Sequence, residues 1–157
     1  LATGQNDLTK TTNTEFFYMA HTVIYKVDIN FGDCDPAGIV FFPNFSKWMD
    51  SSSLNFFVKN GVPIWRELEK INGIIGTPLL EINTKFVMSA TYGEQIEIHT
   101  SVKEWREKVF IQEHIVKRGS DVLCMGLETR AFCIKHPSDS QKIKIVPVPS
   151  DIKELCK

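Results

Sequence analysis

The sequence predicts an α+β domain in which an antiparallel sheet packs against one long helix, and three observations predict it. A strand-like stretch from Thr22 to Asn30 leads into a turn-rich segment. A helix signal then runs from Asn44 to about Asn60, with apolar residues at spacings of three and four. Beyond Pro78, four strand-like stretches follow one another with short links. Successive strands joined that closely favour antiparallel pairing.

Each element has its own warrant. Thr22 to Asn30 alternates and is rich in β-branched residues, and it ends at Gly32. Asn44 is a capping residue type, while Gly61 and Pro63 supply a stop. Phe45, Trp48, Met49, Ser52 and Phe56 share one helix face, long enough to cover a sheet. Asp50, Leu54 and Phe57 form a second line on its flank, which argues against full exposure of Asp50 and leaves a flank for a partner subunit to cover. Ser51, Ser52 and Ser53 would let a sheet curl closely around the helix, but they are poor interior helix formers, so packing must hold the segment. Pro63 to Leu68 reads as a short second helix closed by Asn72-Gly73. The four strand-like stretches are Leu79 to Ser89, Gln95 to Lys108, Val109 to Lys117 and Val122 to Ile134, and a short tail follows Pro149.

Length and composition bound the class. A chain of 157 residues with 43% apolar and 24% charged residues is an ordinary globular one, large enough to bury a core without disulfides or a metal. Residues 1–18 read as a flexible N-terminal tail and 19–157 as one domain. Leu1 to Thr14 is polar and lacks the basic-then-apolar pattern of a signal peptide. No apolar run approaches the roughly 18 residues that a membrane span needs. A formal charge of −1 and the absence of a basic-aromatic motif argue against nucleic acid. Cys34, Cys124, Cys133 and Cys156 form no close pair, so reduced thiols in a cytoplasm are the simplest reading. His21, His99, His114 and His136 lack ligand-like spacing, and no metal or separate cofactor is expected.

The densest chemistry lies at the junction from Phe31 to Asp50. Asp33, Cys34 and Asp35 sit among the turn-formers Gly32, Pro36 and Gly38, directly before the long helix. A helix N-terminus leaves backbone N–H groups without intrahelical partners, and an oxyanion arriving there would be stabilised. Asp33 reads as a turn or capping carboxylate, and no histidine is placed by the sequence to activate Cys34. Trp48 and Trp65 read as core or interface anchors. Arg106 and Lys108, two apart on a strand, would point to one side and could grip a phosphate.

Phe31-Gly32-Asp33-Cys34-Asp35-Pro36-Ala37-Gly38-Ile39-Val40 resembles the signature of the 4-hydroxybenzoyl-CoA thioesterase family, whose fold is the hotdog fold, a curved antiparallel sheet wrapped around one long helix. The similarity continues through Trp48-Met49-Asp50, Gly76-Thr77-Pro78 and Lys103-Glu104-Trp105-Arg106. The resemblance implies an acyl-CoA thioesterase in which the aspartate before proline, Asp35, is the catalytic carboxylate and the backbone N–H of Phe42 is the oxyanion contact. It implies that Asp50 meets the aromatic hydroxyl of a 4-hydroxybenzoyl group. Arg106 and Lys108, with Arg130 as a further candidate, would meet the phosphates of coenzyme A, which is part of the substrate. Glu107 stands where the pattern has another basic residue, and Phe42 where the 4-hydroxybenzoyl enzymes have a tyrosine. A homodimer or homotetramer with a site between subunits is also implied. Two alternatives stand beside the aryl-CoA enzyme: a thioesterase for short-chain acyl-CoA or acyl-carrier protein, and a non-catalytic acyl-CoA binding protein on the same scaffold.

Overall fold

A computed structural model describes residues 21–157, so the expected tail, 1–18, lies outside the described residues. Strand β1 (Val23–Asp28) leads through a short 3-10 turn (Phe31–Asp33) and a loop into helix α1 (Pro43–Lys59). Helix α2 (Trp65–Asn72) and the short strand β2 (Ile74–Gly76) follow. Then come β3 (Leu79–Phe86), β4 (Gln95–Trp105), β5 (Phe110–Arg118) and β6 (Asp121–Arg130). Strands β7 (Cys133–His136) and β8 (Asp139–Ile145) and helix α3 (Ser150–Leu155) complete the chain. The main sheet is antiparallel in the order β1-β4-β5-β6-β3, and β2-β7-β8 form a second, three-stranded sheet.

Helix α1 lies on the inner face of the main sheet. Phe45, Trp48, Met49, Ser52 and Phe56, the stripe expected from spacing, are all buried. The helix packs tightly on the sheet at Gly126, where an added methyl carbon would lie 2.6 Å from Met49 Sδ. A glycine is therefore required there by proximity rather than by backbone conformation.

The buried face alternates along β4 and β5, as a half-buried sheet demands. Ile96, Ile98, Thr100 and Val102 point inward from β4, and Phe110, Gln112, His114 and Val116 from β5. These residues sort the core into three layers. One apolar cluster gathers Phe45, Trp48 and Met49 with Ile96, Ile98 and Val116. A second gathers Phe56 and Phe57 with Val102, Phe110 and Phe132. Between them runs a polar belt of Ser52, Ser53, Thr100, Gln112, His114, Glu128 and Arg130, all buried. The serines that weaken the helix by propensity are thus the helix's contribution to that belt.

The remaining differences from the sequence reading have local causes. Asn44 lies inside α1, with Phe42 at the cap, and its amide donates to Asp33 O at 2.8 Å instead of capping the helix. The stretch expected from Val122 to Ile134 breaks after Arg130, and its end pairs with β2 and β8 in the second sheet. The expected terminal tail contains α3, anchored by buried Ile152 and Cys156. Strand β3 is an edge whose Leu79, Leu80, Ile82 and Phe86 are exposed. A long apolar edge of this kind is a template for pairing with another chain.

Candidate active site

The acidic loop is built by its own hydrogen bonds. Asp35 Oδ1 accepts from the Ala37 N–H at 2.8 Å, and the Gly38 N–H donates to Asp35 O at 2.9 Å. Gly38, at φ 79°, takes the left-handed conformation that only glycine adopts without strain. The turn occupies one oxygen of Asp35, and Oδ2 takes no donor among the described residues. Asp33 does different work: its Oδ2 accepts from the Asn30 N–H at 2.8 Å, as a local cap.

The loop is stitched to the start of α1. The Phe41 N–H donates to Asp33 O at 2.9 Å, and the Thr91 hydroxyl donates to Gly38 O at 2.6 Å. At the helix start, Pro43 has no N–H, and the N–H groups of Asn44 and Phe45 donate to Phe41 O and Phe42 O. Among the described residues the Phe42 N–H has no acceptor. Of the donors expected at this helix end, that leaves one, held by a backbone whose neighbours are all tied down. Phe42 is 62% exposed, and its ring edges against Phe41 and Phe86. It lines a shallow apolar pocket of about 280 Å³ with Val40, Phe45 and Met88.

Asp50 sits eight residues along α1 from Phe42, roughly 12 Å up the helix axis. Its side chain is 71% exposed in the single chain, short of full exposure, and it has a partner in Arg130. It lines a different cavity, of about 490 Å³, with Leu54, Trp65, Thr77, Pro78 and Arg130. Neither Asp35 nor Phe42 borders that cavity.

Arg130 is not a free cation. Its Nη2 donates to Asp50 Oδ1 at 2.7 Å, its Nη1 to Thr77 O at 2.9 Å and its Nε to Glu128 Oε2 at 2.8 Å. The guanidinium so held lies beneath Asp50 and is withheld from the phosphate patch expected for it. Glu128 Oε2 also receives His114 Nε2 at 3.1 Å, and His114 Nδ1 bonds Thr100 Oγ1 at 2.8 Å, which in turn bonds Ser52 Oγ at 2.7 Å. Burial alone would raise the Glu128 carboxyl, but His114 and Arg130 outweigh it and hold it below its ordinary range. Thr100, His114 and Glu128 have the connectivity of a hydrolytic triad, yet all three are sealed from solvent. An acyl group has no access to the Thr100 hydroxyl, so the arrangement is not a nucleophile site.

The β4–β5 hairpin carries Arg106 and Lys108, both exposed. Strand β4 ends at Trp105, so the two lie in the turn and the strand argument for a shared side lapses. Arg106 grips Glu104 with two bonds, of 2.8 and 3.0 Å, which hold the Glu104 carboxyl below its usual range. Sequence reasoning missed the His114 and Glu128 pair. The available signal was two polar residues, Gln112 and His114, at inward positions of an otherwise apolar alternation.

Among the described residues no helix is long and apolar enough to cross a membrane, and no three His, Cys, Asp or Glu side chains gather as a metal site would require. The model of the thioesterase-like superfamily matches residues 29–155. The 4-hydroxybenzoyl-CoA thioesterase of Pseudomonas sp. (strain CBS-3) is 43% identical over 143 residues, covering 88% of this chain and 99% of that protein. A crystal structure of an aspartate-to-asparagine mutant of 4-hydroxybenzoyl-CoA thioesterase complexed with 4-hydroxybenzoyl-CoA superposes with a TM-score of 0.82 at 39% identity, covering 88% of this chain and all of that one. A gentisyl-coenzyme A thioesterase superposes with a TM-score of 0.71 at 30% identity, over 85% of this chain and 98% of that one. With its helix-wrapping antiparallel sheet and these matches along most of its length, the chain belongs to the thioesterase-like superfamily of hotdog fold.

Proposed function

We propose that this protein hydrolyses an aryl-CoA of the 4-hydroxybenzoyl type to the free acid and coenzyme A, with residues 19–157 acting as one thioesterase domain. The observation that carries the site assignment is the stitched pair of a carboxylate with one open oxygen, Asp35, and an acceptor-free backbone donor, Phe42 N–H. Water or the carboxylate attacks the thioester carbonyl, and the carbonyl oxygen gains negative charge. The Phe42 N–H donates to that oxyanion at the start of a helix whose dipole favours it. Collapse expels the coenzyme A thiolate, a good leaving group near neutral pH, so no strong general acid is needed. Asp35 serves either as nucleophile, through a mixed anhydride that water opens, or as base toward that water.

Asp50 receives the aromatic hydroxyl as a hydrogen-bond donor. Arg106 and Lys108 meet the phosphates of coenzyme A, and a phosphate displaces Glu104 from Arg106. The functional unit is a homodimer, alone or paired into a tetramer. Two observations support it: the exposed apolar edge of β3, and the separation of the Asp35 and Phe42 corner from the cavity that holds Asp50. Its free thiols suit a reducing cytoplasm.

Thiol release from aryl-, short-chain and long-chain acyl-CoA thioesters, measured for wild type and Asp35→Ala, tests the proposal. Selective aryl-CoA hydrolysis lost in the variant supports it. Hydrolysis that survives the variant removes Asp35 from its role, and inertness of the wild type toward the whole set overturns the assignment.

A further inference from the structure

We propose that His114, Glu128 and Arg130 are positioning residues that aim the Asp50 carboxylate into its cavity, and that through Asp50 they set the enzyme's preference for a substrate bearing a hydroxyl there. The inference rests on the proposed contact between Asp50 and the aryl hydroxyl.

The geometry is a relay from the sealed core to the cavity wall. Asp50 is 71% exposed, and among the described residues its one recorded side-chain partner is Arg130, at 2.7 Å. An exposed carboxylate on a helix would ordinarily sample several rotamers and gain little from an ion pair. Arg130 differs from a surface arginine because its side chain is only 5% exposed and is pinned at three nitrogens to Glu128, Thr77 O and Asp50. A guanidinium held by Nε and Nη1 presents Nη2 in one direction, since the group is planar and rigid. Glu128, 1% exposed, is held in turn by His114, which reaches it diagonally across the ladder. Gly126 faces His114 in the register and leaves that diagonal open.

The cost of the relay points to function. Glu128 brings a single oxygen to both His114 and Arg130, while Oε1 has no partner among the described residues. Buried ionic groups with unsatisfied atoms stabilise a core no better than apolar residues of the same shape. What this one supplies is a fixed direction for Arg130 Nη2.

The test compares kcat/KM for 4-hydroxybenzoyl-CoA and for benzoyl-CoA, which lacks the hydroxyl, in wild type, Asp50→Asn, Glu128→Gln, Arg130→Lys and the Asp50→Asn/Glu128→Gln double variant. The expected result is a loss of about 10- to 100-fold on the hydroxylated substrate in each single variant, the range of a lost charged hydrogen bond. Benzoyl-CoA turnover falls much less, so the preference for the hydroxylated substrate drops by most of that factor, and the preference of the double variant matches that of Asp50→Asn within about twofold. A merely structural defect lowers both substrates together and multiplies with Asp50→Asn, and either pattern overturns the inference. If Glu128→Gln does not fold, Arg130→Lys decides alone, because lysine keeps the charge but has no fork to span three acceptors. If wild type cleaves neither thioester, the proposed function fails. If Asp50→Asn loses the preference while the Glu128 and Arg130 variants keep it, only the positioning role fails.

Discussion

Replacing Phe42 by proline isolates a single backbone hydrogen. Phe42 sits at φ −54°, inside the range of about −65 ± 15° that the proline ring imposes. Its N–H has no acceptor among the described residues, so the substitution breaks no bond of the fold. It removes the ring as well, and Phe42→Ala is therefore the control: it loses the same ring, from an exposed residue, and keeps the N–H. Loss of one oxyanion donor typically lowers kcat about 100- to 1000-fold, or about 2.7–4 kcal/mol of transition-state stabilisation. The expected outcome is that Phe42→Pro falls below Phe42→Ala by that factor in kcat for aryl-CoA hydrolysis, followed by thiol release at saturating substrate. Both variants should melt near the wild-type temperature. Equal activity of two folded variants would refute the reasoning, because it would place the oxyanion elsewhere.

Three further outcomes follow from the packing and the buried charges. Gly126→Ala puts a methyl carbon 2.6 Å from Met49 Sδ and 3.0 Å from its Cε. It should cost about 1–3 kcal/mol in urea unfolding. Met49→Ala alone should cost about 2–5 kcal/mol, and the double variant less than the sum; strict additivity would show that the two groups do not meet. Glu128, whose carboxyl in the fold titrates below its ordinary 4.5, contributes stability that is present above that value and lost as pH falls through the lowered one. Urea midpoints measured from neutral to acid pH should therefore drop over that window in the wild type and drop less in Glu128→Gln, and parallel profiles would contradict the sign. Burial pushes the Cys124 thiol up to about 11 and the Cys156 thiol up to about 12, and raises Cys133 as well. A thiol-specific chromogenic reagent at pH 8 should thus label half-buried Cys34 first, with the other three reacting only on unfolding.

The acidic loop and the long helix were legible because their signals are local. The Asp-Pro-x-Gly turn is written in adjacent residues, Phe45 to Phe56 repeats at the helical period, and the strands alternate with period two. The same local signals put Asp35 and Phe42 in the one loop that leads into α1. Asn44 misled because its residue type suits a cap, whereas its amide is drawn to Asp33 O by the fold of the loop. The second sheet was not read because β7, four residues long, follows β6 almost directly in the chain, and its partner β2 is only three residues long.

By itself, then, the sequence determined the long helix on an antiparallel sheet, the acidic turn and the apolar helix face, all of which depend on spacings within a few residues. Tertiary structure alone decided that a polar belt divides the core, that Arg130 lies under Asp50 rather than beside Arg106, and that His114 meets Glu128. Those facts depend on the register of β4, β5 and β6, where Thr100 faces His114 and Gln112 faces Glu128. A shift of one residue would turn each of these side chains to the opposite face of the sheet. Register is set jointly by turns, bulges and the packing of the whole sheet on α1, which no short window of sequence contains.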